Sequence, residues 1–415
     1  MTRHPSRRSF LGKLAAGSVL VSAVESARTS ARTDEAYWEL VRRQFPFSEE
    51  KVPLNAANLA PSPRVVSDQV NRLTQDIDVD CSFNNRAKFH RMREETRAKV
   101  AAHLGVSVDE IALVRNTSEA NNTINNGIAL QPGEEIVLWD QNHPTNNVAW
   151  DVRAARFGFK VKKVNTSGCQ GSTEQLLEAF SEAISSRTQV LAITHLSNTT
   201  GVRLPVKQLC RAAHEKGIYV HVDGAQTWGA LNVNLRELEC DSYSASAHKW
   251  LVGPKEVGVL FIKAARVRQV WPNVVAPGWG DDEEPDVVGA RKFESLGQRD
   301  DAALAAVDTA VDFHRLIGTE NVEKRVCELA AFLKEGLKDQ GFELVTPEAT
   351  ELSGGVCIVK VPTESRKEIV DRLYLDHGVA VAPTGGLRIC PHIYNTKSHI
   401  ERTLEGLRDL RSLIA

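Results

Sequence analysis

The sequence predicts an α/β protein. A large unit carries a mostly parallel sheet with helices on both faces, and a smaller C-terminal α+β unit follows. Three observations carry this reading. Short apolar runs of strand length alternate with helix-period segments through the middle of the chain, which is the pattern of βαβ units. Polar residues with chemical potential fall just after those runs, where open parallel sheets bind ligands. The chain has 415 residues, 42% of them hydrophobic, enough for one large and one small core.

The elements follow in order. Residues 34–47 read as a helix and 86–104 as a long amphipathic one. Ile111–Val114, Glu135–Leu138, Lys160–Val164, Gln189–Ile193 and Tyr219–Val222 read as strands, with a helix over Lys207–Lys216 between the last two. Ser244–Trp250 reads as a Ser/His-rich turn before a further strand, Val257–Ile262. A long helical stretch runs from about Asp300 to Gly341, and the small unit follows it. The divisions are therefore residues 1–31, an arm over 32–53, a large unit over 54–299 and a small unit over 300–415.

Net charge is −2 with 25% charged residues, so neither nucleic acid nor an anionic membrane is expected as partner. The seven cysteines are widely spaced, with no CxxC or zinc-ligand pattern, and read as small hydrophobes and not as a disulfide framework. The first residues differ from the rest. Ser6-Arg7-Arg8-Ser9-Phe10-Leu11-Gly12-Lys13 precedes a mildly apolar run to about Ala23. That order of charge, apolar run and small residues is the layout of an export signal. The arginine pair followed by Phe-Leu resembles the twin-arginine (Tat) signal. Export to the periplasm or exterior of a bacterium is expected, with cleavage after Val21-Ser22-Ala23 or nearer Ala31.

Two segments concentrate the chemistry. In Val220-His221-Val222-Asp223-Gly224-Ala225-Gln226 a carboxylate ends a buried strand, so it needs a cationic or hydrogen-bonding partner. In Ser244-Ala245-Ser246-Ala247-His248-Lys249-Trp250 a lysine sits at the strand-end rim. Burial and cationic neighbours there lower a lysine pKa, which suits Schiff-base chemistry. A further loop is ambiguous on residue type alone: Thr117 and Ser118, at a predicted helix start, serve equally as a cap or a phosphate cradle. Arg388, in Gly385-Gly386-Leu387-Arg388, reads by itself as a surface arginine near a helix cap.

Taken together, DGAQ followed by SASAHK resembles the fold-type I pyridoxal-5′-phosphate (PLP) enzymes of aminotransferase class V. That family includes cysteine desulfurases and isopenicillin N epimerase-like proteins, and the likeness runs from about Leu54 to the C-terminus. The resemblance implies a PLP cofactor held by Lys249 as a Schiff base, with Asp223 on the pyridine nitrogen and His143 stacked on the ring. It implies Asn198 and Gln226 at the phenolic oxygen, and Thr117, Ser118, Ser246 and His248 around the phosphate. It implies Arg388 on the substrate carboxylate and Asn58 on the substrate side. The turn Phe293-Glu294-Ser295-Leu296-Gly297-Gln298-Arg299-Asp300 resembles one that reaches the neighbouring subunit's cofactor, with Gln298 in the contacting place, which implies a homodimer. The expected substrate is an amino acid or a peptide-like metabolite, and the expected reaction transamination or epimerisation. Cysteine desulfuration or C–S lysis is the alternative. It is disfavoured because no cysteine lies between Ala380 and Arg388, the place of the desulfurase nucleophile. A paralogue that binds without turnover is the non-enzymatic alternative.

Overall fold

The computed structural model describes residues 34–414 apart from Gln170, Gly278 and residues 280–287. The expected export signal lies outside the described residues.

Three helices precede the sheet: α1 (Glu35–Arg42), α2 (Arg64–Val79) and α3 (Phe83–Leu104). Ser82 opens α3 by accepting from the Asn85 amide, and Gly105 closes it at φ +74°, a left-handed exit natural for glycine. The large unit then runs β1 (Ile111–Val114), α4 (Thr117–Gly127), β2 (Glu135–Trp139), α5 (Pro144–Phe157) and β3 (Lys160–Val164). It continues α6 (Thr173–Ala183), β4 (Thr188–Thr194), α7 (Val206–His214), β5 (Tyr219–Asp223), β6 (Ser242–Ser246) and β7 (Gly258–Ile262).

The seven strands form one sheet in the order β1-β7-β6-β5-β4-β2-β3. β7 pairs antiparallel with both β1 and β6, while the remaining pairs are parallel. Six strands therefore share one direction, and their carboxyl ends share one rim. The inner strands are buried on both faces, as helices above and below require. β3 is the exposed edge, and its Lys160, Lys162 and Lys163 blunt it against further pairing.

Two elements differ from the sequence reading. Ser242–Ser246 is a fully buried strand, where its serines suggested a turn. The stretch after Asp300 is two helices, α8 (Asp301–Ile317) and α9 (Thr319–Asp339), broken at Gly318 with φ +94°. The small unit adds β8 (Cys357–Val359), α10 (Arg366–His377), β9 (Leu387–Ile389) and α11 (Lys397–Asp409), with β8 and β9 antiparallel. The arm joins this unit: Val52–Pro53 pairs in parallel with Val379–Ala380, and Asn55 bridges Cys390.

Candidate cofactor and active site

The rim of β1, β2, β4, β5 and β6 surrounds a cleft of about 200 Å³. At its floor β5 ends in Asp223, which is 2% exposed. Gly224 then turns the chain. A Cβ at that position would lie 1.8 Å from the Tyr243 ring, so the exit is open only to glycine. Asp223 Oδ1 accepts from the Ala225 amide at 2.9 Å, and Oδ2 accepts from Asn121 Nδ2 at 2.9 Å.

The opposite end is polar. Asn116 caps α4 by accepting from the Glu119 amide at 2.9 Å. The Thr117 amide donates to Ser246 Oγ at 2.8 Å, and the two hydroxyls lie 2.7 Å apart. Ser118 is exposed beside them, and His248 completes this part of the lining. Burial, followed by Lys249 and Lys255, pushes His248 down to about 4, so its ring is neutral near pH 7. Hydroxyls, a helix N-terminus and a neutral imidazole together suit a phosphate dianion.

Lys249 lies between these ends. It keeps some exposure, toward the cleft it lines, and is otherwise enclosed. Its ammonium makes no hydrogen bond among the described residues. Burial lowers its pKa below 10.5, Asp223 opposes that shift, and Arg388 adds to it. His143 caps α5, with Pro144 at the first helical position. The Thr145 amide donates to His143 Nδ1 at 3.3 Å, so in the neutral ring the proton sits on Nε2. Burial first, then Lys249, lowers its pKa.

Asn198 and Gln226 line the cleft as well. One Gln226 Nε2–H goes to the Ala57 carbonyl at 3.0 Å, and Oε1 accepts from the Trp250 indole at 2.7 Å; the second Nε2–H stays available. Arg388 is 4% exposed. It donates to the Asn198 carbonyl at 3.2 Å and to Asn55 Oδ1 at 3.1 Å, while its Nε is buried without a partner.

The cleft thus gathers Thr117, Ser118, His143, Asn198, Asp223, Gln226, Ser246, His248 and Lys249, with Arg388 held against the Asn198 backbone. Two expected residues stand apart. Asn58 is exposed and does not line the cleft. Its neighbour Asn55 turns inward instead, because the arm is paired to the small unit and directs that side chain at Arg388. Gln298 is exposed, accepts from Arg86 Nη2 at 2.6 Å and does not line this chain's own cleft. Asn55, Asn121 and Thr145 were not singled out as site residues in the sequence. Asn121 had a signal: it is four positions after Thr117 on a helix, hence on the same face.

The residues fit PLP on the geometry alone. An unpartnered buried amine awaits an aldehyde carbon, a doubly hydrogen-bonded buried carboxylate awaits a cationic ring nitrogen, and the α4 rim awaits a phosphate.

Comparison with known proteins agrees. The family model for aminotransferase class-V matches residues 54–404. The isopenicillin N epimerase of Amycolatopsis lactamdurans is 31% identical over 392 residues, covering 90% of this chain and 98% of that protein. A probable cysteine desulfurase of Xylella fastidiosa is 27% identical over 414 residues, covering 91% and 96%. Among solved structures, the apo cysteine desulfurase of Thermococcus onnurineus superimposes with a TM-score of 0.80 at 22% identity, over 90% of this chain and 97% of that one. A C-DES mutant with glycine covalently linked to its PLP cofactor gives 0.80 at 22% identity, over 89% and 99%; at these identities the likeness concerns the fold. The sheet, the lysine at its rim and the match over residues 54–404 make this chain a member of the aminotransferase class-V family, an enzyme that uses PLP on amino acids.

Proposed function

We propose that the enzyme acts at the α-carbon or amino group of an amino acid or peptide-like metabolite, as an aminotransferase or an isopenicillin N epimerase-like enzyme. The observation that carries this is Lys249, an enclosed amine that lines the cleft, has no hydrogen-bond partner among the described residues and feels the charges of Asp223 and Arg388.

When bound, PLP supplies the electron sink for negative charge at the α-carbon. The residues divide the remaining work. Asp223 would hold a proton on the ring nitrogen. Arg388 would offer its remaining N–H groups to the α-carboxylate. Lys249 Nζ, with its lowered pKa, would take up the α-proton as a neutral amine. His143, its angle set by Thr145, would cover the ring and exclude water.

The turn before Arg388 separates the main reading from desulfuration. A Cβ on Gly385 would lie 1.9 Å from the Thr199 carbonyl oxygen, and one on Gly386 2.3 Å from that of Val359. The turn is short, pinned to backbone and free of cysteine. Cys357 and Cys390 are fully buried, and burial pushes the Cys357 thiol up to about 12 and raises that of Cys390. Neither offers the thiolate that sulfur transfer needs. The 31% identity to an isopenicillin N epimerase favours the same side.

Two finer readings belong to the proposal. Residues 1–31 send the folded protein through the Tat machinery, on the strength of the Arg7-Arg8 pair and the run that follows. The active unit is a homodimer, supported by Gln298, which is exposed and does not line its own chain's cleft.

The deciding experiment is the absorbance spectrum of the purified protein beside Lys249→Ala, followed by a screen of amino donors. A visible band that borohydride removes, and that the variant lacks, is expected. Keto-acid release then marks a transaminase, solvent deuterium at Cα with inversion an epimerase, and sulfide with alanine a desulfurase. A protein that stays colourless in added PLP overturns the reading and leaves a family fold whose site has lost its chemistry, whereas a PLP band that no amino acid shifts marks a binding paralogue.

A further inference from the structure

The face of β5 and β6 beneath the cleft is more polar than a buried sheet requires. Alternate residues of a strand share a face, so His221 and Asp223 lie together on β5, and Ser242, Ser244 and Ser246 lie together on β6. The register sets His221 opposite Ser242 and Asp223 opposite Ser244. Helix α4 crosses this face, and its Thr117 and Asn121, four positions apart, meet it. All three serines are spoken for: Ser246 holds Thr117, Ser244 Oγ donates to Asn121 Oδ1, and Ser242 Oγ lies 2.8 Å from His221 Nδ1. His221 Nε2 lies 2.9 Å from Asn121 Oδ1, and Asn121 Nδ2 lies 2.9 Å from Asp223 Oδ2.

The direction of each bond follows from one premise. An ionised Asp223 can only accept, so the Asn121 amino group faces it and the Asn121 carbonyl faces His221 and Ser244. That carbonyl can only accept, so His221 carries its proton on Nε2. A neutral His221 then has a bare Nδ1, which accepts from the Ser242 hydroxyl. His221 is fully buried, and burial pushes it down to about 3, in keeping with a ring that stays neutral. Every link donates toward Asp223, and hydrogen bonds aligned head to tail polarise one another.

We infer that Asn121 and His221 are positioning residues: with Ser242 and Ser244 they form a one-way hydrogen-bond relay that fixes the Asp223 carboxylate in place and thereby keeps the cofactor's ring nitrogen protonated. This rests on the reading that Asp223 faces that nitrogen. Without the relay the carboxylate loses its Asn121 donor and the fixed orientation that aims its charge at the ring. His221 reaches Asp223 across two hydrogen bonds, through Asn121.

The test loads the full-length enzyme with ring-15N-labelled PLP and follows the ring-nitrogen resonance against pH, a readout independent of turnover. In the wild type the nitrogen stays protonated across the range in which the protein is folded. Asn121→Leu keeps the volume and removes the donor, so the ring's proton affinity falls by about tenfold or more. His221→Leu moves it in the same direction by less, and His221→Gln, which can donate at the same place, restores it. In the Asn121→Leu background His221→Leu adds nothing, as expected of residues that act in series. If His221→Leu fails to fold, Ser242→Ala reads the same link by freeing Nδ1. Wild-type resonance and pH dependence in both Asn121→Leu and Ser242→Ala would overturn the relay while leaving the PLP assignment intact. Failure of the wild-type protein to take up labelled PLP would instead sink the functional reading beneath it.

Discussion

Replacing Arg388 with lysine keeps the charge and removes the fork, so it isolates geometry from electrostatics. Two of the five guanidinium N–H groups are occupied, by the Asn198 carbonyl and Asn55 Oδ1. The buried Nε lacks a partner and shares a free edge with one Nη. A carboxylate on that edge takes two parallel charge-assisted bonds. Lysine can make one of them and loses both anchors. A charge-assisted bond is worth about 1.5–3 kcal/mol, which corresponds to roughly 10- to 150-fold in binding. The assay compares kcat/KM for an amino acid donor with that for the same amine lacking its carboxylate. In Arg388→Lys the amino acid should lose roughly 10- to 150-fold and the amine should be unaffected. If both substrates fall alike, or neither does, Arg388 is not the carboxylate site and the reasoning fails.

Three other outcomes follow from the geometry. In the cofactor-free protein the rate of PLP capture depends on neutral Lys249, so it rises with pH through the lysine pKa. Burial sets that midpoint below 10.5, and Asp223→Asn, by removing the charge that holds it up, should move it lower still; stopped-flow absorbance against pH reads both, and a midpoint that rises in the variant contradicts the assignment. Glu294→Gln should lower the unfolding free energy by about 3 kcal/mol, measured in urea, because it leaves Arg97, 1% exposed, with Glu94 as its one remaining carboxylate partner and turns an amide N–H toward its guanidinium. Gly224→Ala should weaken PLP binding and cost about 1–3 kcal/mol or more, since its methyl would occupy the Tyr243 ring position; unchanged affinity and melting temperature would show that the β5 exit has slack.

The large sheet was legible because its strands advertise themselves as apolar runs between helices, and the cleft because ligand residues follow those strands. Ser242–Ser246 was not legible as a strand. Its alternate residues are serines that satisfy α4 and His221 across the sheet, and such long-range pairing leaves no mark in local composition. The pieces of the cofactor end came from short contiguous motifs, each carried by one strand end. The substrate end was harder. Asn55 and Asn58 occupy the same loop with equal chemistry, and only the pairing of the arm with Val379–Ala380 decides which one turns inward. Gly318 showed no special role in a helical stretch, yet its φ of +94° divides α8 from α9.

That same arm has a consequence in time. The residues that grip the cofactor lie between 117 and 249, whereas the substrate end needs Asn55 to meet Arg388 across 333 positions of chain. A ribosome adding about 5–20 residues per second separates the two by on the order of ten seconds. During that interval every segment that grips the cofactor has been made, while the carboxylate grip for a substrate cannot yet close. The order of synthesis therefore puts the last piece of the substrate site at the end of the chain.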